Sequence, residues 1–399
     1  MRFGEVPEVT ASDDSVREML AAAVRAARPV PAVVDRPELP EGAEEAMQQV
    51  LDAAQAPNTR AAWSADWAKW GRWCALHGYE PIPAHPDLVR YYLTMKASEV
   101  TSDGKFVYAS ATLGRWLSTI NKLHALAGLS RPGESAVVRD TLRGIRRLRA
   151  IPPRQLAPLE PEDLRLVVRR MRSDAAEGTW VQRLRERRDS ALLLWGVAGA
   201  FRASELVTLH VGDVTFRRTT GLFVTVRQSK TDPDAKGQVK ALVLGAHHET
   251  CPVCAYWRWR QVLDAHLRGR SAVIKLLRPQ EQFDAHVCRG AGLPAWPDAD
   301  QPLFRRITKA GLVGDGFLTR ATLYDVVKRR SRQAELDPEL IARLGAHSLR
   351  AGFVTATTRA GATTAQIKRQ TGHTDDRSVE RYVRGLAPDE QNAVQVLGL

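Results

Sequence analysis

The chain has 399 residues, with 58 Lys and Arg against 45 Asp and Glu, a formal charge of +13. With 44% apolar and 26% charged residues, the composition is that of a folded globular chain of two or three domains, which excludes wholesale disorder. The longest nearly apolar run, Ala191 to Phe201, has 11 residues, too short for a membrane span of about 20, and four cysteines do not make a disulfide framework. The surplus of positive charge points to a polyanion partner. The opening MRFGEVPEVTASDD carries acids and no apolar signal core, so a cytoplasmic protein is expected.

Residues 1–40 are rich in Ala, Val and Pro and end in the proline-spaced RPVPAVVDRPELPEG, which predicts a flexible arm. From 41 to 150 the pattern is helical, with segments near 41–54, 58–77, 86–99, 108–128 and 134–148. Trp63, Trp67 and Trp70 recur at i, i+4 and i+7 and mark an apolar face read as core, with base stacking the other reading. Lys69, Arg72, Arg115 and Lys122 lie on these helices and could meet a polyanion. A solvated charged face explains them equally well. The half closes on LRGIRRLRAIPPRQLAPLEPEDL, where Arg143, Arg146 and Arg147 precede Pro152, Pro153, Pro158 and Pro161. Proline imposes an extended connection, so residues 151–159 are the predicted linker and 160–399 the second domain.

The second domain opens with helices near 161–173 and 180–199. The period then changes, and LFVTVRQSKTDPDAKGQVKALVLG reads as a hairpin of two β-branched runs around Thr-Asp-Pro-Asp. Helices resume near 255–268, 319–335, 347–360, 363–371 and 376–384, with a last one after Pro388. Two mainly helical lobes, the second with a small sheet, are expected.

Within GAFRASELVTLHVGDV, Arg202 opens a short helix after Gly199, a place for a phosphate oxygen. Glu205, three residues on, shares its face and can hold it. GAHSLRAGFVT sets His347 and Arg350 three apart at a helix start. In QTGHTDDRSVERYVR, His373 follows a glycine, and Tyr382 comes nine residues later between Arg381 and Arg384. Each fragment alone is compatible with a structural ion pair or a capped core.

In order, these blocks are Arg-x-x-Glu, a hairpin lysine 28 residues later, Gly-x-His-x-x-Arg, then Gly-His with tyrosine nine beyond. Over about residues 45–399 the chain resembles the tyrosine recombinase (phage integrase) family, and NTRAAWSADWAKWGRWCALHGYEPIPAHPDLVRYYL and YVRGLAPDEQNAVQVLGL look like its Cre-type members. The resemblance implies a helical core-binding domain and an α+β DNA breaking-rejoining catalytic domain forming a clamp around duplex DNA. It implies that Arg202 and Arg350 clamp the scissile phosphate and that Glu205 supports Arg202. Lys230 would protonate the leaving 5′ oxygen, with Lys236 and Lys240 as alternatives. His347 would take the tyrosine proton, His373 would hydrogen-bond the phosphate, and Tyr382 would be the nucleophile. Paired sites with inverted-repeat arms, a homotetramer, a Holliday junction and a nucleoid-associated life follow from the same likeness, with no cofactor. A phosphodiester transition state gains negative charge that arginines, a lysine and histidines can stabilise without metal.

Arg320, in FLTRATLYDVVKRR, resembles a family arginine that reads guanine, a phosphate or solvent contact being the alternative. AHHETCPVCAYW offers His247, His248, Cys251 and Cys254, and Asp284, His286 and Cys288 follow. Zinc could take Cys251, Cys254, Cys288 and one histidine. Related recombinases begin this helix with Cys-Pro-Val and hold no metal there, so a metal-free protein is the working expectation. Two other functions stay open: a type IB topoisomerase-like relaxing enzyme, and an idle DNA-binding relative.

Overall fold

The computed structural model describes residues 40, 42–53, 57–149, 156–227, 237–281, 283–290, 296–376 and 379–380. The predicted arm, the centre of the linker, Lys230, Lys236, the Thr-Asp-Pro-Asp turn, Tyr382, Arg384 and the tail lie outside these residues. The chain divides into two compact units, Met1–Pro153 and Arg154–Leu399.

The first unit contains α1 (Ala43–Ala53), α2 (Pro57–Leu76), α3 (Pro86–Ser98), α4 (Ser110–Leu126) and α5 (Ala136–Arg149). The tryptophan stripe of α2 is its core: Trp67, Trp70 and Trp73 are buried. Trp70 stacks on Trp73 at 5.6 Å and meets Tyr92 edge-on at 5.0 Å. Each such side chain gains about 1.5–3 kcal/mol on full burial, and these contacts bind α2 to α3. One face of α4 adds Leu113, Trp116, Leu117 and Ile120 to the same core. Trp63 is only half-buried, and the Lys122 ammonium lies 5.7 Å over its ring. The buried Asp66 carboxylate is held by Arg115 at 2.5 Å, because an unpaired charge there would be costly.

The second unit contains α6 (Pro161–Glu177), α7 (Trp180–Ala198), α8 (Ala203–Val207), β1 (Val214–Arg217), β2 (Gly221–Val226), β3 (Gln238–Val243), α9 (Pro252–Leu267), α10 (Arg270–Leu277), β4 (Arg305–Ile307), β5 (Val313–Phe317), α11 (Arg320–Gln333), α12 (Pro338–Arg343), α13 (His347–Arg359) and α14 (Thr364–Thr371). The fold is mainly α with small antiparallel sheets, as the sequence led us to expect. β1, β2 and β3 form one sheet in that order, with Val224 opposite Lys240 and Val226 opposite Gln238. The β4–β5 ribbon, α10 and α12 were not anticipated. These elements are three to eight residues long, and β5 carries two glycines, so neither helical nor strand periodicity develops.

The run Ala191–Val197 makes α7 a central buried helix, and no described helix is long and apolar enough to cross a membrane. A buried charge cluster locks α7 to α11. Asp189 is fully buried and receives Arg188 at 2.7 Å, Arg330 at 2.7 Å and Arg329 at 3.0 Å. Burial alone raises the Asp189 carboxyl, but Arg188, Arg330 and Arg329 outweigh it and hold it at about 2, below the ordinary 3.8. A depressed carboxyl contributes stability above its unfolded value and loses it as pH falls through the folded one. Asp189→Asn should therefore destabilise the protein by about 3–5 kcal/mol at neutral pH, with the difference from wild type shrinking as pH falls from 4 towards 2. Denaturant unfolding of both proteins across that range checks this, and a difference that does not vary with pH would contradict it.

Candidate active site

The site begins where the apolar α7 ends. Ala200 takes the left-handed conformation, φ 45°, which costs a non-glycine residue of order 1 kcal/mol. Its carbonyl accepts from Arg350 Nη1 at 2.7 Å and from Lys240 Nζ at 3.4 Å. Arg202 then caps α8: its backbone N–H donates to Glu205 Oε2 at 3.0 Å, and its Nη1 donates to Glu205 Oε1 at 2.6 Å. The Arg-x-x-Glu spacing thus fixes both the helix start and the guanidinium.

The second stretch is β3. Lys240 is 0% exposed and donates to Gly199 O at 3.1 Å and Gln370 O at 2.8 Å, with Glu205 Oε2 at 3.7 Å. The third is α13, where a Cβ at Gly352 would sit 2.0 Å from Leu159 O, so only glycine allows this close approach. Leu159 N–H also donates to Ser348 O at 3.0 Å. The helix is thereby seated with His347 exposed at its first turn and Arg350 buried. Arg350 Nη1 reaches Thr371 O at 2.7 Å as well as Ala200 O. The fourth stretch closes α14, where Gly372 is left-handed, φ 69°, and turns the chain so that His373 Nδ1 lies 3.1 Å from Thr371 Oγ1. Thr371 Oγ1 donates to Ile367 O at 2.8 Å, so it accepts from His373. The proton of the neutral ring is therefore assigned to Nδ1.

Arg202, Glu205, His347, Arg350 and His373, which the sequence singled out, are thus brought together, and Lys240 joins them at the centre. The Glu205 carboxylate lies among several cationic groups. Burial pushes the Lys240 ammonium down to about 7 against the pull of Glu205, with Arg350 and Arg202 lowering it further. Burial, then Arg350, Arg202, Lys240 and His347, push His373 down to about 3. His347 is lowered by loss of hydration, then by Arg350 and Arg202. Both histidines are therefore neutral at pH 7, and the site is poised for an anion. Gln370 was not anticipated: its Nε2 donates to Ala198 O at 2.8 Å and Ala241 O at 2.9 Å, tying α14 to α7 and β3.

Among the other sequence candidates, Lys69, Arg72, Arg146 and Arg147 are exposed. Lys69 Nζ lies 5.4 Å over the Trp116 ring. Arg115 is engaged by Asp66, and Arg143 pairs with Asp140 at 2.9 Å. Arg320 is exposed at the first position of α11.

Lys240 gives a direct test of this electrostatic account. In the unfolded chain a lysine keeps the ordinary 10.5 against about 7 in the fold. Between these values the unfolded chain binds the extra proton, so this residue makes stability rise with pH. Lys240→Met should remove that part of the slope, read as the wild-type minus variant unfolding free energy across the same window. Parallel profiles would contradict the buried placement.

No family model matches the chain. The integrase/recombinase xerD homolog of Selenomonas ruminantium is 28% identical over 336 residues, 84% of this chain and 83% of that protein. The recombinase Cre of Escherichia phage P1 is 28% identical over 181 residues, 44% of this chain and 48% of that protein. Among solved structures, the XerH site-specific recombinase bound to palindromic difH substrate, a post-cleavage complex, matches with TM-score 0.53 at 14% identity, covering 89% of this chain and 82% of that one. An alignment of 336 residues is longer than either compact unit, so the likeness runs through both. In sequence over most of its length and in fold, this chain thus resembles the tyrosine recombinases.

Proposed function

We propose that the protein is a site-specific DNA recombinase, metal- and ATP-independent, that cuts and rejoins strands through a 3′-phosphotyrosine intermediate. The observation that carries this reading is the convergence of Arg202, Glu205, Lys240, His347, Arg350 and His373 from four separated stretches onto one anion-ready site. Relatives named as an integrase/recombinase and as a recombinase support the same class.

In the proposed step the Tyr382 oxygen attacks phosphorus, and the bond to the 5′ oxygen breaks. His347, neutral before DNA arrives, takes the tyrosine proton, and Lys230 gives a proton to the leaving oxygen. Arg202, oriented by Glu205, and Arg350 stabilise charge on the non-bridging oxygens. Lys240, buried and bonded to three carbonyls, is proposed as a positioning residue, and its burial favours Lys230 as the acid. His373 donates to the phosphate once it is protonated, since the neutral ring keeps its proton on the side of Thr371. The new phosphotyrosine bond stores the energy of the broken diester, so rejoining needs no ATP.

The assembly proposed is a homotetramer on two sites with inverted-repeat arms, passing through a Holliday junction. Arg143, Arg146, Arg147, Lys69, Arg72, Lys122 and Arg320 are the proposed DNA contacts. The apolar Val394, Val396, Leu397 and Leu399 of the tail are proposed to dock on a neighbouring protomer, since a helix that short would not stand alone in water.

DNA selected from a random pool supplies the substrate for the tests. Arg202→Ala or Arg350→Ala should lower cleavage about a hundredfold or more with far less effect on binding, measured by single-turnover cleavage and gel shift without added magnesium. Normal cleavage at saturating protein would contradict their role. Relaxation of supercoiled plasmid lacking the selected site would point instead to a type IB topoisomerase-like enzyme, and binding without any covalent adduct to an idle relative. Lys230→Ala should be slow on ordinary DNA and restored on DNA with a 5′-bridging sulfur, because a thiolate leaves without a proton. Slowness on both would assign the acid elsewhere.

A bound phosphate should also raise His373 from about 3 towards or above the ordinary histidine value, so DNA binding should take up protons at mildly acidic pH. Calorimetry in buffers of different ionisation enthalpy reads this uptake, and His373→Gln should reduce it. Equal uptake in both proteins would contradict the assignment.

A further inference from the structure

A second cluster of reactive side chains lies away from the residues of the candidate active site. Cys251 caps α9, Cys254 sits in its first turn, and His286 and Cys288 come from the segment after α10. The three cysteines are buried. Cys254 Sγ lies 3.4 Å from Cys288 Sγ, Cys251 Sγ lies 3.9 Å from Cys288 Sγ, and His286 Nδ1 lies 3.4 Å from Cys254 Sγ and 3.8 Å from Cys288 Sγ. All four ligand atoms fall within 4.8 Å of one another. Bond lengths of about 2.3 Å to sulfur and about 2.1 Å to nitrogen in a tetrahedron give edges of about 3.6–3.8 Å. Four of the six separations, 3.4–3.9 Å, lie near that figure, and none exceeds 4.8 Å.

We propose that Cys251, Cys254, Cys288 and His286 Nδ1 bind one zinc ion in a closed, structural site. Three soft thiolates and an imidazole in tetrahedral array select zinc over magnesium or calcium, which take oxygen. A buried cysteine acting as a small apolar residue has no need of a histidine nitrogen in its cluster, and a disulfide would bring two sulfurs to about 2.05 Å and leave the third cysteine over. The surroundings fit a thiolate: Gly245 N–H and Cys254 N–H point at Cys251 Sγ at 3.4 and 3.5 Å, the outer hydrogen bonds that steady a metal-bound sulfur. A Cβ on Gly245 would come 2.8 Å from Cys251 Cα, so this approach requires glycine.

Among its described residues, the segment that supplies His286 and Cys288 has a single 3-10 turn, Val287–Arg289, as its regular structure. Nearby, Glu281 bridges Arg187 and Arg258 at 3.0 and 2.7 Å, and Phe283 lies 4.9 Å from both Arg172 and Arg258 guanidiniums. Zinc would complete this set of anchors and fasten the segment to α9. Pro252 O, next to Cys251, accepts from Trp195 Nε1 at 3.0 Å, so the site also braces the helix that leads into Gly199. Four protein ligands leave no open coordination position, hence a structural and not a catalytic ion.

The test uses untagged full-length protein, expressed with zinc in the medium and dialysed into zinc-free buffer. Elemental analysis should find about one zinc per chain, and titration with a mercurial thiol reagent should release it. Cobalt exchanged into the site should give sulfur-to-cobalt charge-transfer absorption and the intense visible bands of tetrahedral cobalt. His286→Ala, the mildest ligand change, should lower zinc content and melting temperature, while Cys74→Ser, in the other unit, should leave zinc content unchanged. Folded wild-type protein that takes up no zinc on incubation and shows no cobalt–thiolate bands would overturn the proposal, as would mass-spectrometric detection of a disulfide between two of these cysteines in freshly purified protein.

Discussion

Two buried cations, Lys240 and Arg350, share one backbone carbonyl, that of Ala200, and the geometry of the candidate site depends on this. Lys240 continues to Gln370 O and Arg350 to Thr371 O, so the chain after α7 and the chain at the end of α14 are drawn together across about 170 residues of sequence. The left-handed Ala200 turns its carbonyl to meet both. Arg202 is then presented by the Glu205 cap, and His373 by the Gly372 turn. The Glu205 carboxylate balances part of this group of cations, whose burial is costly in desolvation.

The same unit handles its other buried charges differently. Around Asp189 three guanidiniums meet one carboxylate with short hydrogen bonds, a compact arrangement that serves packing of α7 against α11. Around Glu205 the histidines have been driven neutral and Lys240 has been pulled to about 7. Those shifts are the mark of a site that awaits negative charge. In the proposed reaction, a phosphodiester whose oxygens gain charge on the way to the transition state would meet donors already held in place, at little reorganisation cost.

Long periodic elements were legible in the sequence. The tryptophan stripe of α2 and the apolar run of α7 appear where the i, i+4, i+7 pattern and the uninterrupted hydrophobicity put them. Arg202, Glu205, His347, Arg350 and His373 were legible as a set because spacing and order together carry information that each fragment lacks. Lys240 was harder to place. Along β3 the β-branched Val239 and Val243 are exposed while Lys240 and Leu242 are buried, so the usual rule of apolar inside and charged outside points the lysine the wrong way. Its partners are carbonyls from distant segments of the chain, which no local pattern reveals. The cysteine and histidine cluster was readable as residues, but choosing His286 over His247 or His248 required the fold of the segment after α10.

The central claim is that Tyr382 forms the bond to DNA while the groups around Glu205 activate the phosphate. The most direct measurement is to incubate the protein with its selected DNA carrying a nick that lets the cleaved 5′ end diffuse away, then digest the trapped adduct and map it by mass spectrometry. The account predicts a 3′-nucleotide phosphodiester on the peptide containing Tyr382, formed in EDTA and at neutral pH. An adduct on any other residue, a 5′ linkage, or cleavage that requires magnesium and leaves no adduct would contradict it.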